Sequence, residues 1–270
     1  MKSKILFVIF KMEYLLNAEQ NFKSEPYIQI ASSTWPILPL TIVSIYIGFI
    51  FVAPQLMKNR EPFQFKTSVA LWNLLLSIFS FCGMVRTLPY SFFITWSHST
   101  QEIICNYPYY IENGPYGMWT MLFVFSKIAE LLDTVFLVLK KKKLVFLHWY
   151  HHATVLILTW HAYISKSPTS IYFMSMNYSI HSFMYGYYFL QSIGKWPRWL
   201  SPRFITIAQI SQMIVGSLLC FISIFYKLYV PQCFVPTTSM FYAGVIYTTY
   251  LLLFSRFFFK RFLQPKSKII

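Results

Sequence analysis

The chain has 270 residues, of which 56% are hydrophobic, 21% aromatic and only 11% charged, and it carries a net charge of +15. That composition is too apolar for a water-soluble domain, and runs of about 20 apolar residues match a bilayer core of roughly 30 Å. The chain therefore reads as all-α, a polytopic membrane protein with seven transmembrane helices forming one integral-membrane domain over residues 1–270.

The first 35 residues read as a luminal tail. Its start, Met1 to Asn17, has a basic end and a short apolar run from Ile5 to Phe10. That run is too short for a signal-peptide core and lacks a small-residue cleavage site, and Met12 also reads as a start residue. Spans follow at about 36–57, 69–85, 117–139, 144–163, 169–192, 203–226 and 238–258.

The basic residues between these spans orient the chain. Placing the N-terminus in the lumen puts Lys58, Arg60, Lys66, Lys140, Lys141, Lys142, Lys143, Lys195, Arg198 and Arg203 on the cytosolic side, with Arg256, Lys260, Arg261, Lys266 and Lys268 in a cytosolic C-terminal tail. The luminal loops then hold only Arg86, Lys166 and Lys227. This is the positive-inside asymmetry. It accounts for the charge without nucleic acid, and a basic cytosolic rim also suits anionic headgroups or a polyanionic cosubstrate. Lys266 and Lys268 resemble a dilysine retrieval signal of the endoplasmic reticulum, which needs a cytosolic C-terminus.

Four cysteines are too few for a disulfide framework. Cys82 and Cys220 fall in spans and read as core residues, whereas Cys105 and Cys233 both fall in luminal loops, on the oxidising side, and are expected to pair. The sequon Asn177-Tyr178-Ser179 lies inside a span and is discounted.

The third to sixth spans carry polar stripes. They hold Lys127, Glu130, Asp133 and Thr134; then His148, His151 and His152; then Asn177, Tyr178, His181, Tyr185, Tyr187 and Tyr188; then Thr206, Gln209, Ser211 and Gln212. The main spacing is three or four, which puts each set on one helical face. At 1.5 Å per residue the histidine triplet lies roughly 6–12 Å from the cytosolic end of its span, with Asp133, Gln209 and Gln212 at similar depth and His181 roughly 16 Å in. One buried site opening to the cytosol explains that convergence. Simpler roles exist: a self-neutralising ion pair for Lys127 with Glu130 or Asp133, interhelical hydrogen bonding for the glutamines, and an interfacial aromatic belt for the tyrosines. The histidine triplet has no such alternative, because ionisable groups at membrane depth are costly and mark function.

Two chemistries suit the triplet. H-x-x-H-H also occurs in membrane di-iron desaturases and hydroxylases, but such a centre needs about eight nitrogen ligands, and the chain has six histidines in all, with His98 and His161 badly placed; a single metal with carboxylate help remains open. The other chemistry is acyl transfer, in which an imidazole attacks a thioester and neighbouring imidazoles move protons. A heptahelical receptor is disfavoured by the cytosolic position of the site, and a transporter by the uninterrupted spans.

Four elements in order resemble one family. Lys127-x-x-Glu130-x-x-Asp133-Thr134, His148-x-x-His151-His152, His181-x-x-Met184-Tyr185-x-Tyr187-Tyr188 and Thr206-x-x-Gln209-x-x-Gln212 are similar to the signatures of the ELO fatty-acid elongases. The resemblance implies a 3-oxoacyl-CoA synthase of the endoplasmic reticulum membrane that condenses long-chain acyl-CoA with malonyl-CoA and uses no metal or redox cofactor. It implies a helix barrel around an acyl tunnel. It also implies His151 as nucleophile, His148 and His152 as orienting and proton-moving groups, His181 with Asn177 as enolate stabilisers, and Asp133 and Glu130 as partners of the imidazoles. Lys127, Tyr185, Tyr188, Gln209, Gln212, Lys141, Lys142 and Lys143 would bind substrate. Expected partners are the bilayer, a second copy of the chain, and the reductases and dehydratase of the elongation cycle. Trp149 resembles the branch acting on saturated and monounsaturated chains.

Overall fold

The computed structural model describes residues 16–106, 113–195, 197 and 200–264. Lys266 and Lys268 lie outside them. Helical residues 16–20 are followed by α1 (Glu25–Ser33), α2 (Ile37–Leu56), α3 (Lys66–Ser97), α4 (Thr100–Cys105), α5 (Gly114–Ala129), α6 (Leu132–Leu139), α7 (Phe146–Ile164), α8 (Ser170–Ser192), α9 (Pro202–Tyr229) and α10 (Thr237–Phe258), the last running into a π-helical turn, Phe259–Leu263. Four stretches are long and apolar enough to cross a membrane: α2, α3, α9, and α10 with its π-turn. Of the helices between them, α5 and α6 are 16 and 8 residues, each too short alone to cross, whereas α7 and α8 are long enough but carry polar stripes that lower their hydropathy.

The stretch 117–139 is not one helix. It breaks at Glu130–Leu131, where Leu131, Asp133 and Thr134 each donate a backbone N–H to the carbonyl three residues earlier instead of four. This tightened turn rotates α6 against α5, so Glu130 and Asp133 serve different partners. The second span also departs from expectation. At 32 residues α3 is about 48 Å long, more than a bilayer core requires.

The N-terminal segment is built into the fold. Glu19 is buried, accepts a hydrogen bond from Trp119 Nε1 at 3.0 Å and pairs with Arg86. Ile28 and Ala31 of α1 join the core, and the Ala31 carbonyl accepts from Trp160 Nε1 at 2.9 Å.

Packing is closest between α3 and α8. A Cβ on Gly83 would stand 2.6 Å from the Tyr178 ring, so only glycine lets that tyrosine lie flat on α3. Tyr178 donates to the Trp119 carbonyl at 3.0 Å and meets Phe79, Trp119 and Phe123 edge-on. Small polar residues close the remaining interface: Ser91 bonds Ser175 at 2.7 Å and Ser77 donates to the Ser182 carbonyl at 2.9 Å, as expected where helices associate without a hydrophobic driving force. At the opposite end from the histidines, Cys105 at the end of α4 is joined by a disulfide to Cys233 just before α10. Cys220 is buried, but Cys82 is exposed on the outer face of α3 and is not a core residue.

Candidate active site

The polar stripes of α6, α7, α8 and α9 face one cavity of about 690 Å³. His148, His151 and His152 line it from α7, Asp133 from α6, Asn177, His181, Tyr185, Tyr187 and Tyr188 from α8, and Gln209 and Gln212 from α9. Lys140, Lys142, Lys143 and Arg261 stand in the same wall. All three tyrosines line the cavity; Tyr185 and Tyr187 are buried, while Tyr188 is also exposed.

Two of the expected substrate-binding lysines lie elsewhere. Lys141 has a left-handed backbone (φ 51°) and spends its ammonium on the Lys58 carbonyl at 3.0 Å, which ties the α6–α7 turn to the α2–α3 loop. Lys127 is buried behind the cavity, with Nζ 2.7 Å from Glu130 Oε1 and 3.1 Å from Asn177 Oδ1. Glu130 also stays out of the cavity wall, with Oε2 3.9 Å from His181 Nδ1.

The three neighbouring histidines are held differently. His148 Nε2 is hydrogen-bonded to Thr134 Oγ1 at 3.0 Å, and Thr134 is fixed in turn by the Tyr46 hydroxyl at 2.7 Å. His152 Nε2 lies 4.0 Å from Asp133 Oδ2, and its Nδ1 has no hydrogen-bond partner. His151 is held by ring contacts, 5.0 Å from Tyr250 and 5.5 Å from His152 between centroids, and among the described residues no side chain is hydrogen-bonded to its imidazole. The Tyr250 hydroxyl instead anchors the backbone, donating to the His151 carbonyl at 3.2 Å. Among the described residues, His148 alone of the three has a hydrogen-bonded ring nitrogen; His152 faces the Asp133 carboxylate and His151 meets rings.

Asp133 is doubly engaged: Trp72 Nε1 donates to Oδ1 and the Tyr185 hydroxyl to Oδ2, each at 2.7 Å. Gln209 bridges helices, donating to Met184 Sδ at 3.4 Å, and also faces the cavity. His161 sits apart, between the rings of Trp35 and Tyr242. Trp149 lines neither the cavity nor the tunnel behind it. It packs on Phe146 at 5.0 Å and in the cluster around Tyr46 and Ile50 of α2.

A second cavity of about 60 Å³, narrow and mostly apolar, begins where the first ends. His151, Asn177, Gln212 and Met213 belong to both walls. From there it runs past Val155, Leu158 and Phe173 toward Tyr163, Ser167, Ser239 and Met240. From His151 to Tyr163 along α7 is roughly 18 Å at the helical rise. The wide polar chamber and the narrow apolar tunnel thus share a wall, and His151 stands in it.

Among the described residues, no three His, Cys, Asp or Glu side chains are grouped as metal ligands. Ring nitrogens of His148, His181 and His152 face Thr134, Asn177 and Asp133 respectively.

Sequence reasoning missed Trp72, Tyr46 and Arg261. Trp72 and Tyr46 are isolated polar-edged aromatics in apolar spans and carry no local signal. Arg261 has one: it lies three residues past the last predicted span, on the same side as the histidines, within the basic rim that suits a polyanionic cosubstrate.

The chain matches the ELO family model, described as the GNS1/SUR4 family, over residues 30–269. It is 36% identical over 251 residues to very long chain fatty acid elongase 6 of Gallus gallus, which covers 93% of each chain. It is 36% identical over 268 residues to very long chain fatty acid elongase 4 of Trypanosoma cruzi, covering 97% of this chain and 92% of that one. The corresponding match to elongase 6 of Homo sapiens is 35% over 251 residues, again 93% of each. With the four motif elements gathered around one chamber and its tunnel, these matches show that the chain belongs to the ELO family.

Proposed function

We propose that the protein is an enzyme of fatty-acid elongation, a 3-oxoacyl-CoA synthase that joins a long-chain acyl-CoA to malonyl-CoA. The supporting observation is the junction at His151 of a polar chamber rimmed by Lys140, Lys142, Lys143 and Arg261 with an apolar tunnel. A coenzyme A thioester has the same division: a polyanionic handle, a reactive carbonyl and a hydrocarbon tail.

In the first half-reaction a nitrogen of neutral His151 attacks the thioester carbonyl. The C–S bond breaks, the imidazole proton passes to the departing sulfur, and CoA leaves as the thiol. His148 and His152 move that proton and keep the ring aligned. In the second, malonyl-CoA loses CO2, and the resulting enolate carbon attacks the acyl-imidazole. The C–N bond breaks, 3-oxoacyl-CoA leaves, and the imidazolate takes a proton from solvent in the chamber, the one proton consumed overall, to restore His151. Asn177 and His181 face the developing negative charge. The residues supply nucleophile, proton carriers and oxyanion donors, with no metal or redox cofactor in the scheme.

The tail enters the tunnel. Methylenes in an extended chain advance roughly 1.25 Å each, from C–C bonds near 1.5 Å and angles near 111°. An extended tail of about 14 carbons beyond the carbonyl equals the roughly 18 Å of helical rise between His151 and Tyr163. The membrane reading goes with this function: seven spans in one domain in the endoplasmic reticulum, with luminal N-terminus, cytosolic chamber, and self-association or docking to the reductases and dehydratase of the cycle. The basic rim on the chamber side and the disulfide at the far end support that orientation.

The test is to incubate purified protein in detergent with palmitoyl-CoA and malonyl-CoA and to follow CO2 and 3-oxo-octadecanoyl-CoA. Both should appear in equal amounts and require both substrates. Absence of the 3-oxo product, with oxidised or desaturated acyl-CoA in its place, contradicts the proposal.

A further inference from the structure

Behind the chamber, Lys127, Glu130, Asn177 and His181 form a ring of polar groups between α5 and α8, all four nine-tenths or more buried. Hydrogen-bond polarity can be followed around it. An ammonium only donates, so Lys127 Nζ, 3.1 Å from the Asn177 side chain, requires the amide oxygen on its side. The amide nitrogen must then face His181 Nε2, at 3.1 Å. An amide nitrogen also only donates, so Nε2 must offer a lone pair. A neutral imidazole has one N–H, which therefore sits on Nδ1; Glu130 Oε2 faces it at 3.9 Å, beyond hydrogen-bond distance, and has no hydrogen-bond partner of its own among the described residues. The other carboxylate oxygen, Glu130 Oε1, accepts from Lys127 at 2.7 Å.

The amide of Asn177 has two N–H groups. One is directed at His181; the other is left for the chamber, whose wall Asn177 shares with the tunnel. Lys127 sits against the amide oxygen and draws electron density from the nitrogen, which makes that second N–H a stronger donor. Lys127 itself reaches neither cavity, and its remaining face lies 4.2 Å from the Phe123 ring centroid.

We propose that Lys127 is a positioning residue: it turns Asn177 so that its amide N–H becomes the oxyanion donor of the site, and it thereby holds His181 as the Nδ1–H tautomer with a basic Nε2. This rests on the condensing reading above and refines it, since it assigns oxyanion donation to Asn177 and makes His181 an acceptor in the resting site.

Two measurements test it. Nitrogen chemical shifts of ¹⁵N-histidine-labelled protein, with the His181 signals identified by their loss in His181→Gln, distinguish the two tautomers in the wild type without reference to activity. The expected result is protonated Nδ1 and bare Nε2; a proton on Nε2 overturns the proposal. Turnover is then compared for the wild type, Lys127→Met and Asn177→Asp, the last retaining an acceptor for Lys127. Removing an oxyanion donor costs on the order of 10²-fold in kcat. Both variants are expected to lose about that much, with KM for acyl-CoA unchanged and, in Lys127→Met, a mixture of His181 tautomers. Near wild-type kcat in either folded variant overturns the proposal. A wild type that shows the expected tautomer but makes no 3-oxoacyl-CoA instead contradicts the condensing reading.

Discussion

Tyr185 and Asp133 tie α8 to α6 across the chamber, the phenol donating to Oδ2 at 2.7 Å. With Trp72 holding Oδ1, the carboxylate is fixed from two sides and stands 4.0 Å from His152. A hydrogen bond to a charged group contributes about 1.5–3 kcal/mol, so Tyr185→Phe should free Asp133 to shift against His152. Turnover should fall about tenfold or more and Tm by several degrees, about 2–4 °C per kcal/mol lost, as measured by product formation and thermal unfolding. Trp72→Phe should act in the same direction.

Thr134 holds His148 through one hydroxyl that also meets Tyr46. Thr134→Val keeps the shape and removes the hydroxyl, leaving buried partners on both sides. It should lower kcat by roughly tenfold or more and reduce stability by about 1–3 kcal/mol. Thr134→Ser should retain most of both. Equal rates in the two variants would sink the proposed orienting role.

Gly216 is where α9 admits the Tyr247 ring: a Cβ there would stand 2.3 Å from the ring carbons. Tyr247 lines the tunnel, so Gly216→Ala should push the ring into the acyl path. A cost of about 1–3 kcal/mol for overpacking should accompany a shift toward shorter acyl-CoA substrates. Gly83→Ala, pressing on Tyr178, should cost similar stability without changing chain-length preference, because Tyr178 lines neither cavity. A panel of acyl-CoAs of roughly 12 to 20 carbons, on either side of the length that matches the tunnel, separates the two.

Arg261 reaches the chamber wall from the π-turn that ends α10, its guanidinium 5.6 Å from the ring centroids of Phe257 and Phe262. Arg261→Ala should raise KM for both CoA substrates by about tenfold, the effect of a lost charge-assisted contact of ~1.5 kcal/mol, and leave kcat largely intact. Higher salt should narrow the gap between variant and wild type. A fall in kcat at unchanged KM would remove Arg261 from the handle site.

Much of this site was legible because helical periodicity and rise are simple. Polar residues three and four apart on α7, α8 and α9, at matched depths, had to meet if their helices were neighbours. The break at Glu130–Leu131 was not legible, since the stripe through Lys127, Glu130 and Asp133 suits a continuous helix; the turn is formed where Glu130 meets Lys127 and His181 while Asp133 meets Trp72 and Tyr185. Lys127 was misplaced for the same reason. Spacing assigns a face, but only packing decides whether that face meets the cavity or the helix behind it. Lys141 diverged from Lys142 and Lys143 because a left-handed turn residue directs its side chain away from its neighbours.

The most direct test of the covalent mechanism uses one substrate. Purified protein is incubated with palmitoyl-CoA without malonyl-CoA, and peptides spanning His148 to His152 are examined by mass spectrometry while free CoA is assayed. A palmitoyl mass on His151, with one CoA released per adduct and chased to 3-oxo-octadecanoyl-CoA by malonyl-CoA, is the expected result. No adduct and no CoA release before malonyl-CoA is added, in protein that then turns over normally, would contradict the acyl-imidazole step.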